Sequence, residues 1–292
     1  MCRFVAYLGR PIIVDELLLK PKNSLVHQSY DAEDTSQTLN GDGFGLGWYV
    51  HAISQIPGLF RSISPAWNNK NLLYNARLIK TDCLFAHIRA ALEGTISEAN
   101  THPFHYEHFL MMHNGVVPHF TRIKRRLLNL LSEELFLWVQ GQTDSEHVFA
   151  LLMYHLKQMK TSNNSLTAEQ VRLGFQQTFD VVQRLKQEAG IGHEVSTLNM
   201  MITDGHRVFG TRFSSDPERA ARSLYYSAGS KFQCEHGFSR MVKDDSGDKA
   251  VLIVSEKLND YDEEWTAIPY NHFIAVENNM EVKLSPLDCH GT

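Results

Sequence analysis

Strand-like segments lie at both ends of this 292-residue chain, whereas helical segments occupy its middle. Short apolar or alternating runs, bounded by Gly, Pro, Asn or Asp, predict the strands. They are Arg3–Leu8, Gly45–Val50, Cys83–Arg89, Phe109–His113, Leu198–Ile202, Arg207–Arg212, Leu224–Ser227, Ala250–Val254, Phe273–Glu277 and Met280–Leu284. Apolar residues at helical spacing predict helices over Phe120–Leu131, Ser145–Met159 and Thr167–Glu188. This order restricts the chain to an α+β fold, in which helices and strands are segregated.

Four of the C-terminal strands are predicted to form two hairpins, because Asp204-Gly205 and Asn278-Asn279 are favourable two-residue turns. Hairpins imply mainly antiparallel pairing, and two sheets with helices outside them would suit the length. The chain contains no internal repeat, low-complexity tract or convincing linker. We therefore interpret residues 1–292 as one domain.

Composition and charge exclude several classes of function. The chain is 43% hydrophobic and 21% charged, an ordinary globular balance. No apolar run approaches the ~20 residues of a membrane span, and the N-terminus lacks a signal-peptide layout. The four cysteines show no paired spacing, which is typical of a reduced, cytoplasmic protein. The net charge of -5 gives no reason to expect a nucleic-acid partner.

A cysteine directly follows the initiator methionine. Removal of Met1 would give Cys2 both a thiol and a free α-amino group. An α-amine titrates near pH ~7.7–8.0, which suits a base that accepts the thiol proton. An early cysteine is also common without any catalytic role, so the interpretation depends on the rest of the chain.

Two motifs at strand ends carry candidate substrate-binding groups. Arg89 lies at the end of an apolar strand, where its planar guanidinium could bind a carboxylate through two parallel hydrogen bonds. The alternative is a structural or surface arginine. The Asn114 side chain and the Gly115 backbone N–H could together stabilise the oxyanion of an acyl-transfer intermediate. The alternative is a plain Asn-Gly turn.

The segment Thr143-Asp144-Ser145-Glu146 precedes the second helix. Thr143 and Glu146 match a capping box, and acidic residues suit a helix N-terminus. The functional interpretation is that Asp144 faces a cavity and pairs with a substrate ammonium group. The two interpretations are compatible, because a well-capped helix would hold Asp144 rigidly.

Two further patterns in the sequence argue against a bound cofactor or metal. The glycine-rich segment from Asn40 to Trp48 leads into a strand, so a phosphate loop is a poor interpretation, and its glycines more simply allow close backbone approach. Four histidines lie near one another in the sequence, but their spacing matches no usual zinc pattern. They are His102, His105, His108 and His113.

The ordered motifs together resemble the class II glutamine amidotransferases, a family of N-terminal-nucleophile hydrolases. The motifs are Cys2, His87-Ile88-Arg89-Ala90, Thr101-His102-Pro103-Phe104, His113-Asn114-Gly115 and Thr143-Asp144-Ser145-Glu146. The resemblance implies a four-layer α/β/β/α sandwich. It implies that Cys2 is the nucleophile, with its own α-amine as base, and that Arg89 holds the substrate α-carboxylate. It also implies that Asn114 and Gly115 form the oxyanion hole, and that Asp144 binds the α-ammonium group.

A narrower resemblance covers nearly the whole chain. Further segments are similar to the amidotransferase-like subunit family of the fungal glutathione-degrading complex, among them Met1-Cys2-Arg3-Phe4, Ser24–Asp31, Ser64–Asn69 and Trp265–Pro269. This resemblance implies glutathione as a substrate and a metallopeptidase-like partner, and it leaves the oligomeric state open, a homo-oligomer included. One departure is that Arg89 is followed by Ala90-Ala91-Leu92 instead of a bulkier or hydroxylated residue.

Three hypotheses for the function remain open at this point. The main one is a hydrolase of γ-glutamyl amides, such as glutamine or glutathione, that acts through a γ-glutamyl thioester on Cys2. The second is a glutaminase subunit that donates ammonia to a separate synthetase. The third is a subunit that binds γ-glutamyl compounds without cleaving them.

Overall fold

The computed structural model describes residues 2–32, 39–90, 94–160, 165–219, 221–235, 238–245 and 247–288. The strands are β1 (Arg3–Ile13), β2 (Phe44–Val50), β3 (Ser54–Ser62), β4 (Lys80–Ile88), β5 (Phe104–Tyr106), β6 (Phe109–Val116), β7 (Thr197–Thr203), β8 (Val208–Arg212), β9 (Tyr225–Gly229), β10 (Lys231–Glu235), β11 (Phe238–Val242), β12 (Ala250–Val254), β13 (Thr266–Ala267), β14 (His272–Val276) and β15 (Val282–Pro286). The helices are α1 (Asp15–Leu18), α2 (Lys70–Ala76), α3 (Lys124–Leu128), α4 (Glu133–Trp138), α5 (Asp144–Met159) and α6 (Ala168–Glu188).

The strands form two large sheets. Within the described residues, the first sheet has seven strands in the order β13-β9-β12-β1-β4-β2-β3. The second has six, in the order β15-β14-β8-β7-β6-β5, and β10 and β11 form a separate ribbon. Every pairing within these described strands is antiparallel. The predicted α+β class with mainly antiparallel sheets is confirmed.

The two sheets pack face to face because apolar side chains alternate along their strands. In β1, Phe4 and Leu8 belong to the core between the sheets, whereas Val5 belongs to the core on the outer face of the first sheet. In β6, Leu110 and Met112 point to the same inter-sheet core. Successive side chains of a strand point to opposite faces, so each of these strands contributes to two cores.

Helices cover both outer faces, but unequally. Helices α3, α4, α5 and α6 pack on the second sheet, where Phe149 and Phe175 contact a core that includes Phe209 and Phe273. The short helices α1 and α2 place buried Leu17 and Leu72 on the first sheet, in the core that includes Val5 and Leu84. The resulting order of layers is α/β/β/α, as the family resemblance implied.

Some predicted elements differ in length. The predicted helix Phe120–Leu131 is instead a 3₁₀ turn over Phe120–Arg122 followed by the short α3. Both predicted hairpins form, but their turns are longer than two residues. After β7, the Asp204 carboxylate accepts the backbone N–H groups of His206 and Arg207 at 3.0 and 2.8 Å, which widens the connection.

Other elements were missed by the sequence prediction. Strand β3 contains Pro57 and Gly58, which weaken a strand pattern. It forms at the edge of the first sheet, where a proline costs no ladder bond on the open side. Helix α4 was also missed, although Ser132 caps it by accepting the N–H of Leu135 at 3.4 Å. In the part of the chain that the structure describes, no helix is both long and apolar enough to span a bilayer. One domain over residues 1–292 and a cytoplasmic location stay predictions.

Candidate active site

Cys2 lies at the start of β1, against the end of β4. Arg3 pairs with Ile88 across these antiparallel strands, which brings Cys2 beside the residues that follow β4. The backbone N–H of Ala90 donates to the Cys2 sulfur at 3.4 Å, and the thiol donates to the Ala90 carbonyl at 3.5 Å. The strand register therefore places the thiol next to Arg89 and Ala90.

A buried ion pair fixes the backbone at Cys2. Arg3 donates from Nε to Glu256 Oε2 at 2.5 Å, and both side chains are about 3% exposed. Arg3 also donates from Nη1 to the Cys2 carbonyl at 3.0 Å. Asn23 donates to the other oxygen of Glu256 at 3.1 Å. Because guanidinium, carboxylate and backbone are joined in this way, the position of Cys2 depends on residues more than 200 positions away.

The environment of Cys2 disfavours the thiolate. Burial raises the pKa of the Cys2 thiol. The hydrogen bond from Ala90 and the positive charges of Arg89 and Arg222 lower the pKa in part. Since burial is the larger effect, the thiol is mainly protonated near neutral pH and needs a base to become a nucleophile.

Arg89 is held by the glycine-rich segment before β2. Its backbone N–H donates to the Gly43 carbonyl at 2.8 Å, and its carbonyl accepts the N–H of Asp42 at 3.1 Å. Its guanidinium donates to the Thr95 carbonyl at 3.2 Å. A side chain at Gly45 would place Cβ only 2.2 Å from the His102 carbonyl oxygen. The interpretation of these glycines as points of close approach is confirmed.

Asn114 and Gly115 lie inside β6, so the interpretation as a plain Asn-Gly turn is wrong. Asn114 pairs with Asn199 and Gly115 with Leu198 on β7. A Cβ at Gly115 would lie 1.9 Å from the Thr197 carbonyl oxygen, and therefore only glycine fits. Asn114 is 3% exposed, and within the described residues no group forms a hydrogen bond with its side-chain amide.

Asp144 is the first residue of α5, as expected for the helix N-terminus. Its carboxylate accepts the backbone N–H of Val117 at 2.7 Å and that of Ser145 at 2.8 Å. The first bond ties the start of α5 to the segment that follows β6. Thr143 caps the helix by accepting the Glu146 N–H at 3.3 Å. The predicted capping box is only half formed, because the Glu146 carboxylate instead accepts the N–H groups of Gln140 and Gly141 at 3.0 and 2.7 Å.

Histidines join the two groups of candidate residues. His87, on β4, hydrogen-bonds through Nε2 with the His113 carbonyl on β6 at 3.1 Å. The His113 ring then contacts Ser145 Oγ through Nδ1 at 2.8 Å. Ser145 in turn donates to Asp144 at 3.3 Å. Hydrogen bonds and short stretches of backbone therefore connect Cys2 and Arg89 to Asn114 and Asp144.

These histidines are buried and neutral. Burial lowers the pKa of His87 to about 3. Burial also lowers the pKa of His113, although the nearby Asp144 carboxylate opposes this shift. The His87 and His102 rings lie 4.2 Å apart, and burial holds the pKa of His102 well below its ordinary value. Neutral rings can bridge the sheets as donors and acceptors without placing charge in the core.

The four histidines that are close in sequence do not form one cluster. His102 packs on His87 and Phe104, whereas the ring of His108 packs on Phe109. Among the described residues, no group of three or more His, Cys, Asp or Glu side chains is placed to hold a metal ion.

Sequence reasoning missed several residues around Cys2. Glu256 and Arg222 lie far from Cys2 in sequence, and no local pattern marks them. His87 has a recognisable position, because it stands two residues before Arg89, near the end of β4. Met1, Ala91 and Leu92 lie outside the described residues, so the expected loss of Met1 and the departure after Arg89 stay untested.

A family model described as "Glutamine amidotransferases class-II" matches residues 21–285. The chain belongs to this family. It is 36% identical to the probable glutamine amidotransferase DUG3 of Saccharomyces cerevisiae, over 98% of this chain and 84% of that protein. It is also 36% identical over 119 residues to the gamma-glutamyl-hercynylcysteine sulfoxide hydrolase of Mycobacterium tuberculosis, covering 40% of this chain and 50% of the relative.

Solved structures with low sequence identity share the fold of this class II amidotransferase. A glutamine aminotransferase class-II domain protein from Silicibacter pomeroyi has a TM-score of 0.65 at 20% identity, with 98% of this chain and 99% of that one covered. Glutamine phosphoribosylpyrophosphate amidotransferase from Bacillus subtilis has a TM-score of 0.58 at 12% identity, where this chain spans 49% of the other. The predicted family resemblance is confirmed, and family membership indicates an enzyme.

Proposed function

We propose that this chain hydrolyses γ-glutamyl amide bonds, with Cys2 as nucleophile and a γ-glutamyl thioester as intermediate. The observation that carries the proposal is the linkage from Cys2 and Arg89 through His87 and His113 to Asn114. It connects the residues that carry a thiol, a cation and an amide donor, which are the groups that acyl transfer requires. Family membership and the name of the mycobacterial hydrolase support the same reaction class.

The first half of the reaction forms the thioester. We propose that removal of Met1 frees the α-amino group of Cys2, which then accepts the thiol proton. The sulfur attacks the γ-carbonyl carbon, and the oxyanion accepts hydrogen bonds from the Asn114 side chain and the Gly115 N–H. The C–N bond breaks as the intermediate collapses, and the leaving amine takes the proton from the α-ammonium group.

The second half of the reaction releases glutamate. A water molecule attacks the thioester carbonyl and gives one proton to the α-amino group. The same oxyanion donors stabilise this second tetrahedral intermediate. Its collapse breaks the C–S bond, and the proton held by the α-amine returns to the Cys2 sulfur. The raised pKa of the thiol favours this return and makes the α-amine necessary in the forward direction.

Two charged residues are proposed to orient the glutamyl group. Arg89 would bind the α-carboxylate, because its guanidinium offers a planar pair of donors. Asp144 would bind the α-ammonium group. Its carboxylate oxygens already accept Val117 and Ser145, which orients them while leaving lone pairs for a third donor.

The narrower resemblance extends this proposal. It favours glutathione among the γ-glutamyl substrates and a metallopeptidase-like protein as partner. Both remain predictions, as does the oligomeric state. An ammonia donor would prefer glutamine and need a separate acceptor enzyme, so substrate preference separates the two hypotheses.

The decisive experiment measures glutamate release by the purified chain from glutamine, glutathione and other γ-glutamyl compounds. We expect the wild type to release glutamate and Cys2→Ala to release none. Cys234→Ala is the matched control, because Cys234 is another partly exposed free cysteine in the ribbon strand β10. It should retain full activity.

The possible results separate the hypotheses. Full activity in Cys2→Ala would refute the mechanism. A strong preference for glutamine over glutathione would favour the ammonia donor. Binding of γ-glutamyl compounds without turnover, in a sample whose N-terminal residue is Cys2, would favour the binding subunit.

A further inference from the structure

Arg222 lies in a segment that connects the two groups of candidate residues. Its carbonyl accepts hydrogen bonds from Asn199 Nδ2 at 3.1 Å and from Arg212 Nε at 2.8 Å. Asn199 is the residue opposite Asn114 in the pairing of β6 with β7. These bonds attach the backbone of Arg222 to the second sheet beside Asn114.

The next residue attaches the same segment to the first sheet. Ser223 donates to the Ser255 carbonyl at 2.8 Å. Ser255 exchanges hydrogen bonds with Phe4, which accepts its N–H at 3.2 Å and donates to its hydroxyl at 2.9 Å. The segment of Arg222 is therefore held between Ser255, which is bonded to Phe4 on β1, and Asn199 on β7, the strand that pairs with β6 at Asn114.

The guanidinium of Arg222 is half-buried, and no described carboxylate pairs with it. Its charge lowers the pKa of both Cys2 and His113, which agrees with the bonds that hold this segment to Ser255 and Asn199. In the described part of the chain, no carboxylate forms an ion pair with Arg222, whereas Arg3 pairs with Glu256. A half-buried cation without an acceptor is unfavourable, and a bound anion would relieve that cost.

Arg222 and Arg89 approach Cys2 from different surroundings. Arg89 lies near Asp42 and lowers the pKa of His87 and His102. Arg222 instead lies near Arg3 and His113. The two cations therefore influence one thiol from different sides, and they have different neighbours.

We propose that Arg222 binds a carboxylate on the leaving group of the substrate. This inference rests on the proposed function, in which Arg89 takes the α-carboxylate of the glutamyl group. A γ-glutamyl amino acid or peptide carries a second carboxylate beyond the scissile amide, whereas the leaving group of glutamine is ammonia. Arg222 would thus make the enzyme selective for γ-glutamyl amino acids and peptides over glutamine.

Two substrates that differ in one group test this inference. γ-Glutamylglycine and γ-glutamylmethylamide have the same scissile bond, but only the first has a leaving-group carboxylate. We expect the wild type to favour γ-glutamylglycine in kcat/KM by about tenfold or more, the value of one charge-assisted hydrogen bond. The ratio of the two kcat/KM values should fall close to one in Arg222→Gln. In Arg222→Lys it should remain partly raised.

The ratio separates carboxylate binding from a merely electrostatic role. Loss of the Arg222 charge would also raise the thiol pKa, which slows both substrates equally and leaves the ratio unchanged. An unchanged ratio in an active Arg222→Gln enzyme would therefore overturn the inference. Arg219→Gln is the matched control, because Arg219 is 74% exposed in the same connection, and its ratio should equal that of the wild type.

Two further measurements keep the test decisive. If Arg222→Gln does not fold, a wild type without preference for γ-glutamylglycine overturns the inference by itself. Calorimetric binding of both compounds to Cys2→Ala requires no turnover, and tighter binding of γ-glutamylglycine is expected there. A wild type that hydrolyses neither compound would contradict the proposed function, whereas hydrolysis of both at equal rates would contradict only the role of Arg222.

Discussion

The candidate site has two halves that are built differently. The Cys2 half comprises Cys2, Arg89 and Arg222 on the first sheet and its connections. The Asn114 half comprises His113, Asn114, Gly115 and Asp144 on β6 and α5. In the Asn114 half, strand pairing and the start of a long helix fix each backbone group. In the Cys2 half, the hydrogen bonds of the thiol to the described residues join it to the Ala90 backbone alone, at 3.4 and 3.5 Å.

This difference corresponds to the different tasks of a nucleophile and of oxyanion donors. A nucleophile has to exchange its proton and form a new bond, so few strong contacts should hold it. Oxyanion donors work best when they are already oriented, because they then need no reorganisation during the reaction. The fold meets both needs by anchoring the backbone of Cys2 through Arg3 while leaving its thiol weakly bound.

The largest expected effect concerns the anchor of the Cys2 half. Glu256→Ala leaves the Arg3 guanidinium buried without its counter-ion, which should cost about 3–5 kcal/mol of unfolding free energy. Urea denaturation measures this loss. The control Asp248→Ala removes an exposed pair with Arg10 and should cost about 0.2–1 kcal/mol. Equal losses in the two variants would mean that the buried pair does not anchor Cys2.

The next effect concerns the Asn114 half. Asn114→Ala removes a proposed oxyanion donor and should lower kcat about 10²–10³-fold. The KM should change little, because this donor acts mainly on the transition state. Steady-state kinetics measure both constants, and thermal unfolding checks that the fold survives. A rise in KM with unchanged kcat would assign Asn114 to substrate binding instead.

The buried histidines that link the two halves, His87, His102 and His113, should make the fold sensitive to acid. In the folded state burial lowers the pKa of His87 to about 3, far below the unfolded value, and it also lowers the pKa of His102 and His113. The neutral rings therefore stabilise the fold above about pH 6.5. Below that pH, the free energy of unfolding falls by up to ~1.4 kcal/mol per pH unit for each buried histidine. Urea denaturation at pH 7, 6 and 5 measures the slope. A stability that does not change over this range would contradict the buried, neutral bridge.

The smallest effect concerns Asp144. Asp144→Asn keeps an acceptor for the Val117 N–H but loses the charge for the substrate ammonium group. We expect KM to rise about tenfold, the value of one charge-assisted hydrogen bond, with kcat nearly unchanged. A substrate without the α-amino group should bind wild type and variant equally. A fall in kcat alone would instead indicate a role in positioning β6.

Local patterns in the sequence predicted most of the elements and the candidate residues of both halves. The central strands and α6 were found because periodicity of apolar residues is a local signal, and the order of elements gave the α+β class. Each of the five candidate site residues also lies in a local motif. The turn at Asn114 was an incorrect alternative, because pairing with β7 overrides the local turn preference of Asn-Gly.

What escaped prediction depends on contacts between distant segments. Glu256 meets Arg3 across 253 positions, and Arg222 reaches Cys2 only after two sheets have packed. Strand β3 forms despite Pro57 because the edge of the first sheet tolerates it. No pattern within a short window of sequence carries this information.

The most direct test of the central claim is peptide mass spectrometry on enzyme that is acid-quenched during turnover. The account predicts that the N-terminal peptide begins at Cys2 and carries a γ-glutamyl group on the thiol. In Asn114→Ala, less of this adduct should form. An active enzyme whose N-terminal peptide retains Met1, or a γ-glutamyl group attached to any other residue, would contradict it.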